Sequence, residues 1–222
     1  MAVGIGIDVY GTLIDPLRMS DHLRPLTGDA AEAIAAMWRA KQLEYTFRRA
    51  AMGSYENFDI CTRDALRFVL DSMKIALAEP EQVRLLEAYQ SLPPYADALA
   101  GLLELRRRGH TVAAFSNGVE ATLRKLLGGA GLLDQFDAVI SVDELKTFKP
   151  DPRVYRYLAE RLGRELDATW LISSNAFDVI GAKNAGLRAA WIQRDPATVF
   201  DPWPLRPDLV ASSLERLAAL MP

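Results

Sequence analysis

The stretch "GIDVYGTLID" (residues 6–15) decides how the rest of the chain is read. An apolar run is interrupted by Asp8, and Gly11-Thr12 turns the chain soon after. A carboxylate near the end of a hydrophobic strand has two readings. It is a turn cap bonded to backbone amides, or a chemical group held at the edge of a sheet.

Outward from that stretch, residues 3–10 read as a short strand. Similar apolar runs recur as "TVAAF" (111–115), "FDAVIS" (136–141), "TWLISS" (169–174), "RAAWI" (188–192) and the weaker "DLVAS" (208–212). Helical periodicity falls between them, over roughly 96–108, 119–130, 151–163, 176–186 and 212–220. Buried strands alternating with helices predict a parallel sheet covered on both faces. Right-handed crossovers then make a doubly wound, Rossmann-like α/β fold with its crevice at the carboxyl ends of the strands.

Residues 16–95 break that rhythm and read as helix, most clearly "DAAEAIAAMWRAKQLEYTFRRAAM" (29–52). Asp29 after Gly28 is the expected cap, and Ile34, Met37, Trp38 and Tyr45 fall near one apolar stripe. Further helices are expected around 57–73 and 80–91, ending at Pro93-Pro94. The expected organisation is a core of residues 1–15 and 96–222, with residues 16–95 forming an all-helical cap of about four helices inserted after the first strand.

Composition narrows the class. Of 222 residues half are hydrophobic, and 29 acids against 26 bases leave a net charge of −3. That suits one large globular domain or a domain with an insertion, able to bury a core without a staple. The single cysteine, Cys61, excludes an intrachain disulfide framework and a multi-cysteine metal cluster. No secretory leader and no apolar run of membrane-spanning length are read, so the expected location is cytoplasmic, away from the membrane. The mildly acidic balance argues against nucleic acid as partner.

Polar residues gather where the strands end: Asp8 and Thr12, Ser116 and Asn117, Lys149, then Ser173, Ser174, Asn175 and Asp178. Each has an ordinary explanation. Asp8, Thr12 and "SNG" suit turns, Asp178 suits a helix's first turn, and Lys149 an exposed charge before Pro150. A doubly wound sheet brings these separate loops to one crevice, and together they make a candidate site.

The ordered motifs "DVYGTL", "SNG", "FKPDPRVY" and "SSNAFDVIGAKNAG" resemble the haloacid dehalogenase superfamily over nearly the whole chain. "WRAKQLEYTF" (38–47), "MGSYENF" (52–58) and "SSNAFD" (173–178) are similar to signatures of its L-2-haloacid dehalogenase (type II) branch. The departures from the phosphatase members matter. Where those carry a general-acid aspartate two residues after the nucleophile, this chain has Tyr10. Where they carry a magnesium-holding aspartate four residues before Asp178, it has Ser174.

A halide leaves as a stable anion and needs no proton. The resemblance therefore implies hydrolysis of short L-2-haloalkanoic acids to D-2-hydroxyacids through an aspartyl ester, with no cofactor and no metal. In that reading Asp8 is the nucleophile and Asp178 the base for the hydrolytic water, which Asn175 and Ser173 orient. Lys149 pairs with the carboxylates and keeps them ionised, Thr12 steadies the Asp8 loop, and Tyr155 hydrogen-bonds within the network. Ser116 and neighbouring amides hold the substrate carboxylate. Arg39, with Asn117 and Phe58 beside it, faces the halide. Tyr10, Leu43, Phe58 and Phe177 form the apolar wall. The resemblance also implies a homodimer. Two alternatives stand beside it: a magnesium-dependent phosphatase of the same superfamily, and a non-catalytic module that binds small carboxylates.

Overall fold

The computed structural model describes residues 2–222. Six parallel strands form one sheet: β1 (Gly4–Asp8), β2 (Thr111–Ser116), β3 (Ala138–Ser141), β4 (Thr169–Ser173), β5 (Arg188–Ile192) and β6 (Leu209–Ala211). Their spatial order is β3-β2-β1-β4-β5-β6. The winding reverses at β1, whose neighbours are β2 and β4, so a crevice opens at its carboxyl end.

Five helices alternate with these strands: α5 (Ala98–Arg107), α6 (Glu120–Gly129), α7 (Pro152–Leu162), α8 (Ala176–Ala185) and α9 (Leu214–Leu220). All residues of β1 and β4 are buried, as expected of strands covered on both faces. One face packs Ile5, Ile7 and Val112 against Leu102, Leu126 and Leu217, from α5, α6 and α9. The other packs Ala113, Phe115 and Leu171 against Tyr155, Leu158 and Val179, from α7 and α8.

Between β1 and α5 lie four helices: α1 (Met19–Thr27), α2 (Ala31–Met52), α3 (Phe58–Met73) and α4 (Glu79–Tyr89). Trp38 of α2 is buried, and its indole N–H donates to the Thr62 carbonyl of α3 at 2.8 Å. Asn57 caps α3 by accepting from the Ile60 amide at 2.9 Å. The chain leaves and re-enters the core side by side: the Tyr95 amide donates to Leu13 O at 2.8 Å and the Asp15 amide to Pro93 O at 3.3 Å.

Two local expectations fail. Asp29 does not cap α2. A 3-10 turn over Gly28–Ala30 carries helical backbone straight into the helix, whose N-cap is Ala30 without a side-chain bond. Met37 is 39% exposed, because the buried stripe of α2 runs through Ala31, Ile34, Ala35, Trp38, Gln42 and Thr46 instead.

Candidate active site

Asp8 is the last residue of β1, and the chain then wraps tightly, with the Leu13 and Ile14 amides donating to Val9 O at 2.9 and 3.0 Å. Gly11 takes φ +92°, a left-handed conformation that glycine adopts without a Cβ clash. This turn aims Thr12 back at the strand end. Its hydroxyl donates to Asp8 Oδ2 at 2.8 Å and accepts from the Ser174 amide at 2.8 Å.

The β4–α8 junction supplies two more donors to the same oxygen: Asn175 Nδ2 at 2.7 Å and Ser173 Oγ at 3.3 Å. Asp8 Oδ1 accepts only from Lys149 Nζ, at 3.0 Å, among the described residues. One carboxylate oxygen is thus locked by three neutral donors, while the other retains lone-pair capacity beside an ammonium.

Lys149 is buried, which sets aside the ordinary explanation of an exposed charge before Pro150. Its three N–H donors reach Asp8 Oδ1, Asp178 Oδ2 at 2.8 Å and Phe115 O at 3.0 Å. Burial pulls its pKa down, but the Asp178 and Asp8 carboxylates outweigh that and hold it above the ordinary lysine value. Asp178 is fully buried, and its second oxygen accepts from the Tyr155 hydroxyl at 2.8 Å. Burial and the nearby Asp8 charge raise its carboxyl above the usual range, against the pull of Lys149 and Tyr155. The two directions are consistent: two carboxylates share one ammonium, which favours the charged form of Lys149 and disfavours that of Asp178. Burial and the Asp178 charge also push the Tyr155 phenol well above its ordinary pKa.

Asp8, Ser116, Asn117, Lys149 and Asn175 line one small cavity from the sheet side. Tyr10 after β1 and Phe177 of α8 complete the lining from the core, and Arg39 and Leu43 of α2 and Phe58 of α3 complete it from the inserted helices. Its volume is about 10 Å³, close to that of one water. Asn117 turns its carbonyl oxygen to the Lys149 amide at 2.9 Å, and Ser116 Oγ accepts from the Gly118 amide at 3.1 Å. Tyr10 and Phe58 pack with ring centroids 5.4 Å apart, and Phe177 meets Phe47 edge-on at 5.0 Å. Four expected residues, Thr12, Ser173, Tyr155 and Asp178, stand behind the lining and bear on it through Asp8 and Lys149.

Arg39 reaches the cavity from α2, donating to Gln42 Oε1 at 2.8 Å and Tyr10 O at 3.0 Å. Gln42 was missed in the sequence, although a polar residue four positions after Trp38 on the same buried stripe was a readable signal. Arg194 was also missed and carried no signal. It follows β5, stacks 3.8 Å over the Tyr95 ring, and donates to Thr12 O at 2.6 Å and Asp97 Oδ1 at 2.8 Å. It thereby ties the Asp8 turn to the point where the chain re-enters the core.

A carboxylate-bearing strand end at the sheet's switch point, a buried lysine between two aspartates and a helical roof define a class of hydrolase. A family model of haloacid dehalogenase-like hydrolases matches residues 4–186. The (S)-2-haloacid dehalogenase of Pseudomonas sp. (strain YL) is 37% identical over 217 residues, covering 98% of this chain and 93% of that protein. The (S)-2-haloacid dehalogenase of Xanthobacter autotrophicus is 41% identical over 197 residues, covering 87% and 76%. The structure of L-2-haloacid dehalogenase from Xanthobacter autotrophicus with chloropropionic acid covalently bound matches with a TM-score of 0.90 at 35% identity, covering 99% of this chain and 98% of that one. The chain belongs to the haloacid dehalogenase-like hydrolases, in the branch of the (S)-2-haloacid dehalogenases.

Proposed function

We propose that this protein hydrolyses short L-2-haloalkanoic acids to D-2-hydroxyalkanoic acids through an ester on Asp8. The observation that carries the reading is the asymmetry at Asp8. Oδ2 is pinned by Thr12, Ser173 and Asn175, whereas Oδ1 accepts only from Lys149 among the described residues, and Asp8 lines the cavity.

In the first step Asp8 Oδ1 attacks the halogen-bearing carbon from the rear. The new C–O bond forms as the C–X bond breaks, its electron pair leaves with the halide, and the centre inverts. Ser116 and the adjacent amides hold the substrate carboxylate, and Arg39 with Asn117 and Phe58 surrounds the departing halide. A halide needs no proton, so Tyr10 stands where an acid would otherwise be required. Tyr10, Leu43, Phe58 and Phe177 exclude water, which strengthens every charge interaction inside.

Esterification removes the Asp8 charge and leaves Lys149 paired with Asp178 alone. Water entering beside Asn175 and Ser173 attacks the ester carbonyl carbon and gives its proton to Asp178. Collapse of the adduct breaks the acyl C–O bond, regenerates Asp8 and releases the hydroxyacid, whose alkoxide takes up a proton. Neither step calls for a Lewis acid. Ser174 offers a hydroxyl where a magnesium-holding phosphatase has a carboxylate.

The test is halide release from racemic 2-chloropropionate with excess chelator, the residual substrate being resolved by chiral chromatography. Chloride release with selective loss of the L form is expected. No chloride, together with magnesium-dependent release of phosphate from a phosphomonoester, would replace this reading with the phosphatase one.

A further inference from the structure

Gln42 is wholly buried in α2, where a primary amide is costly unless its donors and acceptors are met. They are met by a defined set. Its Oε1 accepts from Arg39 Nη1 at 2.8 Å and from the Tyr89 hydroxyl at 3.0 Å, and its Nε2 donates to Thr62 Oγ1. Thr62 already donates its hydroxyl proton to Phe58 O at 2.8 Å, so it can only accept from Gln42. That fixes which end of the amide faces Arg39.

The second guanidinium contact is also to a neutral acceptor, the Tyr10 carbonyl. Among the described residues no carboxylate pairs with Arg39. The same helix treats its outer cations differently: Glu44 pairs with Lys41 at 2.6 Å and with Arg48. A glutamate at 42 would have almost the same shape and would accept the same two bonds, with the Thr62 hydroxyl turning from Phe58 O to donate to its other oxygen, but it would neutralise the cation that lines the cavity.

We propose that Gln42 is a positioning residue for halide release: it aims the Arg39 guanidinium into the cavity while leaving its positive charge uncompensated. The inference rests on the dehalogenase reading of the cavity. It adds that an amide, rather than a carboxylate, at 42 keeps the departing anion's counter-charge available, and that Thr62 sets the amide's orientation.

The test compares Gln42→Glu with Gln42→Met during turnover of L-2-chloropropionate, with added bromide as inhibitor. Glu keeps the hydrogen bonds to Arg39 and cancels its charge, whereas Met loses the bonds and leaves the charge. The expected result is that bromide inhibition weakens about tenfold or more in Gln42→Glu, and less in Gln42→Met. A purely structural role predicts the reverse order, with Met the worse variant. Bromide inhibition unchanged in Gln42→Glu, or weaker in Met than in Glu, overturns the inference. Should Gln42→Glu fail to fold, Thr62→Val gives the second reading: bromide inhibition is expected to weaken about threefold as the amide loses its fixed orientation, and unchanged inhibition overturns the inference. Turnover by the wild-type protein separates the two levels. Its absence refutes the dehalogenase reading and this inference together, whereas turnover with insensitive variants refutes only the inference.

Discussion

Lys149 donates to Asp8 Oδ1 across 3.0 Å, and the same ammonium holds Asp178 at 2.8 Å on its far side. Asp178 is fully buried and does not line the cavity, so a charge change at Asp8 reaches it through the ammonium they share and through the direct field of the Asp8 carboxylate. The two carboxylates are thus coupled through one shared cation.

Asp8→Asn should lower turnover by at least about 10⁴-fold, since an amide is not a nucleophile for carbon–halogen displacement. In a single turnover of the wild-type protein in heavy-oxygen water, label should enter Asp8 before it enters product. Mass spectrometry of the Asp8 peptide reads this directly, and label found in product alone would sink the ester route.

Lys149→Met should destabilise the protein by about 3–5 kcal/mol near neutral pH, because two buried carboxylates lose their only shared cation. The sign of the pH dependence is defined. Burial already raises the Asp178 carboxyl, and without the opposing ammonium it titrates higher still in the folded state than in the unfolded chain, so its unfavourable contribution grows as pH rises through the folded value. Urea melts at pH 5 and pH 8 should therefore find the variant's deficit smaller at the lower pH. An equal deficit at both would mean that the carboxylates are not electrostatically exposed by the loss of Lys149.

Tyr155→Phe should move the acid limb of the kcat–pH profile upward. Burial and Asp8 already raise the Asp178 carboxyl, and the Tyr155 hydrogen bond opposes them. Removing that bond raises it further, so a larger fraction is protonated, and inactive as a base, at any given acidic pH. A limb that stays in place would argue against titration of Asp178.

Tyr10→Ala should broaden chain-length tolerance. Tyr10 lines both the small cavity at Asp8 and a second cavity of about 260 Å³, in which Ile60, Leu86 and Tyr89 stand among polar residues such as Asp59, Arg63 and Gln90. The ratio of kcat/KM for a 2-bromohexanoate to that for 2-chloropropionate should rise about tenfold or more, on the scale of one or two accommodated methylenes. An unchanged ratio would mean that the substrate chain points elsewhere.

Gly181→Ala tests the packing that places Tyr155. A Cβ at 181 would meet the Pro150 side chain at 2.7 Å and would press directly on the Tyr155 hydroxyl. The variant should lose about 1–3 kcal/mol, and kcat should fall as Tyr155 shifts off Asp178. Full activity with an unchanged melting temperature would show that α7 and α8 move apart without cost.

The sequence by itself determined the sheet, the alternation of its helices and the four helices between β1 and α5. Each of these depends on local periodicity and on breakers such as Pro93-Pro94 that act over a few residues. It also placed Asp8, Lys149, Asn175 and Asp178 at strand ends, because a parallel sheet exposes its carboxyl edges together. Only the tertiary structure decided which oxygen of Asp8 is free, that Asp178 stands behind Lys149, and that Gln42 and Arg194 hold Arg39 and the Asp8 turn. Those facts join residues 3 to 182 positions apart, and a hydrogen bond's direction depends on where two elements meet. Asp29 and Met37 mark the same boundary: a cap and a stripe depend on the turn that enters the helix and on what packs against it.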